Sequence, residues 1–308
     1  MSGIQILIPT YKPGEELLEL LRSLKRQTIL PEKIHIINTD QRLWKFAADV
    51  WEREFAEVMV THIPAGTFDH GATRHMGMEA ARSAYVVCMT QDALPADELL
   101  LEKLLAPMRN PEVAVSYARQ LPAKNASAIE EFTRYYNYSD TSMLKGKKDI
   151  ETLGIKTYMC SNVCAMYRKE VYDNLGGFIR HTIFNEDMIF AARAVEANYL
   201  IAYAADARVI HSHNYSGREQ FHRNFDLGVS QADHPEIFLK VPSEGTGIQM
   251  VKKTAAYLCR IGKPWLLFRL VWISGCKYLG YRAGRNYRSL SRKKIERYTM
   301  NPQYWEKE

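Results

Sequence analysis

Apolar and polar positions follow two alternating periods along the first 90 residues. Ile4-Gln5-Ile6-Leu7-Ile8 is a short apolar run stopped by Pro9-Thr10-Tyr11, the pattern of a buried strand. Glu15 to Gln27 then carries leucines at 17, 18, 21 and 24, a helical spacing. Lys33–Asn38 reads as a second strand, Leu43–Phe55 as a helix and Glu57–Ile63 as a third strand. Gly66–Gly71 reads as a loop, Ala72–Ser83 as a helix, and Tyr85-Val86-Val87-Cys88-Met89-Thr90 as a further strand. Repeated alternation of strand and helix predicts a parallel sheet with helices on both faces, an α/β fold.

The rhythm changes after Asp97. Glu98–Met108 predicts a helix, Val113–Leu121 a strand, Ile129–Tyr138 an aromatic-rich helix and Thr157–Arg168 a strand in mixed surroundings. Gly176-Gly177-Phe178 is a turn, Asn185–Ala197 a helix, and Tyr199–His211 one or two strands. Lys145-Gly146-Lys147-Lys148-Asp149 reads as an exposed, mobile loop. Ser243-Glu244-Gly245-Thr246-Gly247 divides a body, residues 1–242, from a tail, residues 243–308.

Charge separates the same two parts. The chain has 41 Lys and Arg against 35 Asp and Glu, a net +6. From Lys252 onward there are 14 basic residues against three glutamates, which leaves the first 251 residues net acidic. An acidic body with no extended basic groove argues against nucleic acid. In the tail, Trp265, Phe268, Trp272, Cys276 and Leu279 share one side of a helical wheel, with Lys277, Arg282, Arg285 and Arg288 largely opposite. That pattern predicts a helix lying on an anionic membrane surface; the alternative is packing on the body or on a second subunit, which leaves a homo-oligomer open.

Hydrophobic residues make up 46% of the 308, enough for a large core. No run of about 18 apolar residues predicts a membrane-spanning helix, and the N-terminus lacks a signal-peptide pattern. Cysteines 88, 160, 164, 259 and 276 contain no C-x-x-C pair, so reduced thiols in a cytoplasmic protein are expected.

Chemistry is sought where the strands end, because ligands of open parallel sheets bind beyond their carboxyl ends. The first turn, Thr10-Tyr11-Lys12-Pro13-Gly14-Glu15, is not a Gly-rich phosphate cradle. Nicotinamide-dinucleotide and P-loop chemistry therefore lack their fingerprints. Asp92, in Gln91-Asp92 after a buried strand, is either a ligand for a hard cation or a turn aspartate. Glu186 and Asp187 open a helix, where acidic residues suit the dipole and where a carboxylate also stays available as a base. His211 and His213 are expected to diverge along a continuing strand, one as a ligand and the other structural. Arg74 is a candidate for bidentate phosphate binding or for a surface ion pair. Phe132–Tyr138 is a candidate lining for a sugar groove, with a core-packed helix as the alternative.

Taken in order, these places resemble the inverting family 2 glycosyltransferases, over roughly residues 4 to 230. The resemblance implies a GT-A fold, a Rossmann-like α/β/α sandwich with a mixed sheet, here with a C-terminal helical extension. It implies nucleotide-sugar contacts at Pro9, Thr10 and Tyr11, at Asp40 in Asn38-Thr39-Asp40, and at His70, Arg74, Gln91 and Asp92. Gln91-Asp92 falls at the family's D-x-D position, with Gln91 replacing a carboxylate, so a divalent Mn²⁺ or Mg²⁺ is expected to lean on Asp92, His211 and His213. Glu186-Asp187 matches the motif that supplies the base, either residue serving. His70-Gly71-Ala72-Thr73-Arg74, Thr90-Gln91-Asp92-Ala93, Ser161-Asn162-Val163 and His211-Ser212-His213-Asn214-Tyr215-Ser216 are similar to rhamnosyltransferases of bacterial cell-wall polysaccharides. That implies a dTDP-L-rhamnose donor and a lipid-linked glycan acceptor at the inner face of the cell membrane. The different class left open is a non-catalytic nucleotide-sugar or glycan-binding subunit, which Gln91 invites.

Overall fold

A computed structural model describes residues 3–239 and 244–307. The strands are β1 (Ile4–Tyr11), β2 (Lys33–Thr39), β3 (Val58–Ile63), β4 (Tyr85–Met89), β5 (Leu94–Pro95), β6 (Val113–Leu121), β7 (Met143–Lys145), β8 (Cys164–Arg168) and β9 (Leu200–Ile210). The helices are α1 (Glu15–Leu24), α2 (Ala48–Phe55), α3 (His70–Ala80), α4 (Leu100–Leu105), α5 (Ala128–Asn137), α6 (Ile150–Leu153) and α7 (Lys169–Asn174). They continue with α8 (Glu186–Glu196), α9 (Gly217–Asp233), α10 (Pro235–Phe238), α11 (Glu244–Arg260), α12 (Leu266–Arg285) and α13 (Arg292–Tyr298).

The strands form one mixed sheet in the order β3-β2-β1-β4-β8-β6-β9-β5, with β7 added on β9. β3, β2, β1 and β4 are parallel, as the alternation predicts; β8 then enters antiparallel between β4 and β6. Alternate side chains of a strand face opposite sides. Ile4, Ile6 and Ile8 join the leucines of α1, Phe55 of α2 and the leucines of α4 in one core. Leu7 joins Met78 of α3, Tyr172 of α7 and Phe190 of α8 in the other.

Several predicted boundaries shift. The helix expected over Leu43–Phe55 begins only at Ala48, because Trp44 and Phe46 leave the helical path to pack on Trp51. The strand expected from Thr157 starts at Cys164. The segment before it turns aside, which frees the backbone of Asn162 for a side-chain partner described below. The expected exposed loop at 145–149 is corrected at its start, while Lys147 and Lys148 are exposed. Lys145 is buried at the end of β7, where its ammonium donates to the Tyr117 hydroxyl at 3.1 Å and the carbonyls of Lys156 and Met159 at 3.0 and 2.6 Å. Burial lowers its pKa to about 7.

The boundary expected at 242/243 lies outside the described residues. Beyond it, α12 packs along α9 chiefly through its glycine face; from the aromatic side only the Trp272 ring edge and Cys276 reach α9, at Gly217, among the described residues. Ile273, Gly280 and Gly284 are buried, while Trp265, Phe268, Trp272 and Leu279 are exposed, Phe268 by 85%. A Cβ on Gly280 would lie 2.2 Å from the Phe221 carbonyl oxygen, and one on Gly284 2.0 Å from that of Phe225. Glycine lets the two backbones touch, so this contact selects the buried face of α12. Among the described residues, no helix is long and apolar enough to cross a membrane.

Candidate active site

A cleft of about 700 Å³ gathers residues from widely separated stretches, among them Arg74, Asp92, Asn162, Asp187 and His213. A larger groove of about 1000 Å³ beside α7, α8 and α10 holds none of the candidate residues. Chemistry is assigned to the smaller cleft because its titratable groups converge.

One wall is a carboxylate pair. Asn185 takes a left-handed backbone conformation, φ 65°, and turns the chain into α8 so that Glu186 and Asp187 open the helix. Glu186 lies 3.0 Å from an Arg74 guanidinium nitrogen, both side chains only 7% exposed, and accepts a 3.0 Å hydrogen bond from the Asn162 amide. Burial works to raise Glu186, but Arg74, His70 and Asn162 outweigh it and hold the group ionised. Asp187 accepts from the Asn162 backbone N–H at 2.9 Å and from the Met188 N–H at 2.8 Å. Burial, then the Glu186 charge, push Asp187 up to about 7. Two adjacent carboxylates thus differ: one is neutralised by an arginine, and the other is poised to take a proton. Asn162 touches both, and its own amide is oriented by the Tyr167 hydroxyl, which donates to its Oδ1 at 2.7 Å.

The other group is Asp92 with His211 and His213, whose ligand atoms all lie within 4.8 Å of one another. The Asp92 carboxylate is 3.5 Å from His211 Nε2 and 3.3 Å from His213 Nε2. The expected divergence of the two rings is corrected: positions two apart share a face of an extended chain, and β9 ends at Ile210. Burial opposes the Asp92 charge, but His211, Thr90 and His213 hold its pKa below the usual carboxylate range. Burial, then His211, lower His213, which keeps it neutral at pH 7.

Gln120 sets the tautomer of His211. Arg134 has only donors, and it donates to Gln120 Oε1; the Gln120 amide nitrogen donates to Ser161 at 2.9 Å. His211 Nδ1, 3.2 Å from that same oxygen, must then carry the proton. In the neutral ring, Nε2 presents a lone pair toward Asp92. One carboxylate and two imidazoles with ligand atoms this close form a donor set that fits a divalent metal.

Not every predicted residue lies in this cleft. His70 does; burial lowers its pKa, and its Nε2 lies 3.3 Å from the Asn301 amide. Pro9, Thr10, Tyr11 and Asp40 do not line the cleft; they sit at the carboxyl ends of β1 and β2. Thr10 donates to Asn38 at 3.0 Å, Tyr11 is exposed, and Asp40 accepts two hydrogen bonds from the Arg42 side chain. Gln91 does not join Asp92. It accepts from the Tyr11 N–H at 2.9 Å and donates to the Tyr11 carbonyl at 3.3 Å, a two-way bracket that a carboxylate could not make. α5 divides its faces: Thr133, Arg134, Asn137 and the following Tyr138 line the cleft, while Phe132 stacks on Tyr257 of α11 at 4.8 Å. Sequence reasoning missed Gln120, which has no local signature, and the bridging role of Asn162.

A family model, glycosyl transferase family 2, matches residues 5–176. The chain belongs to this family. It is therefore a glycosyltransferase, and its mixed sheet with flanking helices is the GT-A fold expected from the sequence. An O-antigen chain rhamnosyltransferase of Salmonella typhimurium, RfbN, is 36% identical over 306 residues, covering 98% of this chain and 96% of that protein. The corresponding enzyme of Salmonella anatum, WbaN, is 35% identical over 311 residues, 99% of this chain and 96% of that protein. Among solved structures, the Pyrobaculum calidifontis mannosyltransferase with GDP-Man and Mn²⁺ aligns at TM-score 0.55 and 14% identity, over 99% of this chain and 88% of that one. S. aureus TarS with UDP-GlcNAc aligns at 0.51 and 16%, over 93% and 91%. The two structures share the fold. The family model ends at 176, so Glu186, Asp187, His211, His213 and every helix from α8 onward lie beyond the matched segment.

Proposed function

We propose that this chain transfers L-rhamnose from dTDP-L-rhamnose, with inversion, to a hydroxyl of a growing lipid-linked surface glycan. The near full-length similarity to two O-antigen rhamnosyltransferases supports the sugar. The observation that carries the mechanism is the sharing of one cleft by Asp187 and the Asp92–His211–His213 group.

In this reading the acceptor oxygen attacks the anomeric carbon from the face opposite the nucleotide. The new C–O bond forms as the bond to the diphosphate oxygen breaks, and that oxygen leaves with the electron pair. Asp187 takes the acceptor proton. Glu186 holds Arg74 and Asn162 in place beside it and is not the base. Asp92, His211 and His213 hold the divalent ion, Mn²⁺ suiting the imidazoles better than Mg²⁺, while Gln120 keeps His211 in its ligating tautomer. When bound, such an ion supplies Lewis-acid charge to the leaving diphosphate.

Calorimetry of dTDP binding tests the metal assignment. Mn²⁺ tightens binding to the wild type, and Asp92→Ala removes the Mn²⁺-dependent part. Equal affinities of the variant and the wild type in Mn²⁺ take Asp92 out of the site. The binding-subunit alternative rested on a weakened metal motif; Gln91 braces Tyr11 instead, so that argument no longer favours it.

The same reading puts the enzyme at the inner face of the membrane through α12. Its exposed Trp265, Phe268, Val271 and Trp272 stand among exposed Lys263 and Arg269, an apolar and basic surface suited to anionic lipid. Phe268→Ser with Val271→Ser lowers sedimentation with anionic phospholipid vesicles, because both side chains are exposed on α12. Vesicle binding equal to wild type contradicts the membrane contact.

A further inference from the structure

The cleft's charges do not all cancel. Arg74 is paired with Glu186, and Arg134 with Glu130 at 2.6 Å. Arg223 and Lys277 also line the cleft, and neither makes an ion pair or hydrogen bond with any described residue. Arg223 is held by rings: its guanidinium lies 4.8 Å from the centre of Phe184 and 5.8 Å from that of Tyr215. Tyr215 in turn stacks on His213 at 4.9 Å, so Arg223 is one ring removed from the metal-binding group. Lys277 feels the charges of Glu130, Arg223 and Arg134, which places it on the same wall.

Lys277 comes from α12, in the part of the chain that reads from sequence as a membrane-facing tail. Ile273, Lys277, Gly280 and Gly284 are spaced four, three and four apart, so they share one face of the helix. The glycines press that face backbone to backbone against α9, the helix that carries Arg223. The docking of α12 therefore fixes both cations with respect to each other. Holding a lysine in a half-buried place without a directly paired carboxylate costs solvation, which a bound anion recovers.

We propose that Arg223 and Lys277 form the wall that receives the phosphoryl oxygens of a diphosphate, so that the C-terminal helix completes the active site. The proposal rests on the nucleotide-sugar reading above for its ligand class. Two sources carry that chemistry: the diphosphate of the donor, and a diphosphate joining lipid to acceptor glycan.

The test uses the full-length enzyme with Mn²⁺ and inorganic pyrophosphate as the probe, by calorimetry. Lys277→Met and Arg223→Gln each weaken pyrophosphate binding about 10- to 100-fold, the loss expected for a hydrogen bond to a charged group. Lys277→Arg restores most of the affinity, and an unchanged thermal midpoint shows that α12 stays docked. Steady-state kinetics then separate the sources. A raised donor KM with an unchanged acceptor KM assigns the wall to the donor; the reverse assigns it to the acceptor. Pyrophosphate affinity and both KM values unchanged in Lys277→Met and Arg223→Gln overturn the proposal, as does a wild type that binds no pyrophosphate. Lys277-dependent pyrophosphate binding in an enzyme that uses no nucleotide sugar would instead overturn the donor reading and leave the anion wall standing.

Discussion

Asp187→Asn lowers kcat about 10²- to 10⁴-fold, the usual contribution of a positioned general base, while dTDP still binds. The amide has nearly the shape of the carboxylate but cannot take a proton. One hydrogen bond is lost, because Asp187 accepts from two backbone N–H groups and an asparagine oxygen can meet only one of them. The thermal midpoint should therefore fall slightly, whereas turnover falls steeply. The pH profile gives a second readout. A base works unprotonated, and burial with the Glu186 charge sets Asp187 at about 7. Wild-type kcat/KM should rise with pH, close to tenfold per unit below 7, and level off above it. The residual rate of Asp187→Asn should be flat through the same range. A variant that turns over near the wild-type rate takes the base role away from Asp187.

Arg74→Met should destabilise the fold by about 3–5 kcal/mol, the range for removing one partner of a buried ion pair. Glu186 would keep the Asn162 amide but lose its guanidinium, and its charge would remain out of water. The cost comes from the abandoned carboxylate more than from the lost attraction. Adding Glu186→Gln to Arg74→Met should therefore recover part of the loss, which a double-mutant cycle in urea measures directly. A single variant within about 1 kcal/mol of wild type would mean that water reaches Glu186, contrary to the burial seen here. The same comparison separates the two carboxylates, because the loss belongs to folding at Glu186 and to turnover at Asp187.

The first half of the fold was legible because its signals are local. The runs at Ile4–Ile8 and Tyr85–Met89, and the leucines of α1, set both element and face without reference to distant residues. Asp92, Glu186 and Asp187 were also legible, since each sits at the end of a strand or the start of a helix. The rest depends on contacts far apart in sequence. Asn162 matters because its segment leaves the strand path to meet α8, and Gln120 because it faces Arg134 and His211 at once. A helical wheel cannot say which face of α12 is buried when the deciding residues are glycines. Gly280 and Gly284 carry no hydrophobic signal, yet their close approach to α9 turns Lys277 inward and the tryptophans outward.

The central claim is direct displacement at the anomeric carbon with one side chain as base. NMR of the purified product, made from dTDP-L-rhamnose and a defined glycan acceptor, reads that step through the one-bond carbon–proton coupling at the new anomeric centre. The account predicts a configuration opposite to that of the donor. Retention of the donor's configuration would contradict it, since two successive displacements would then be needed where this cleft is read as performing one.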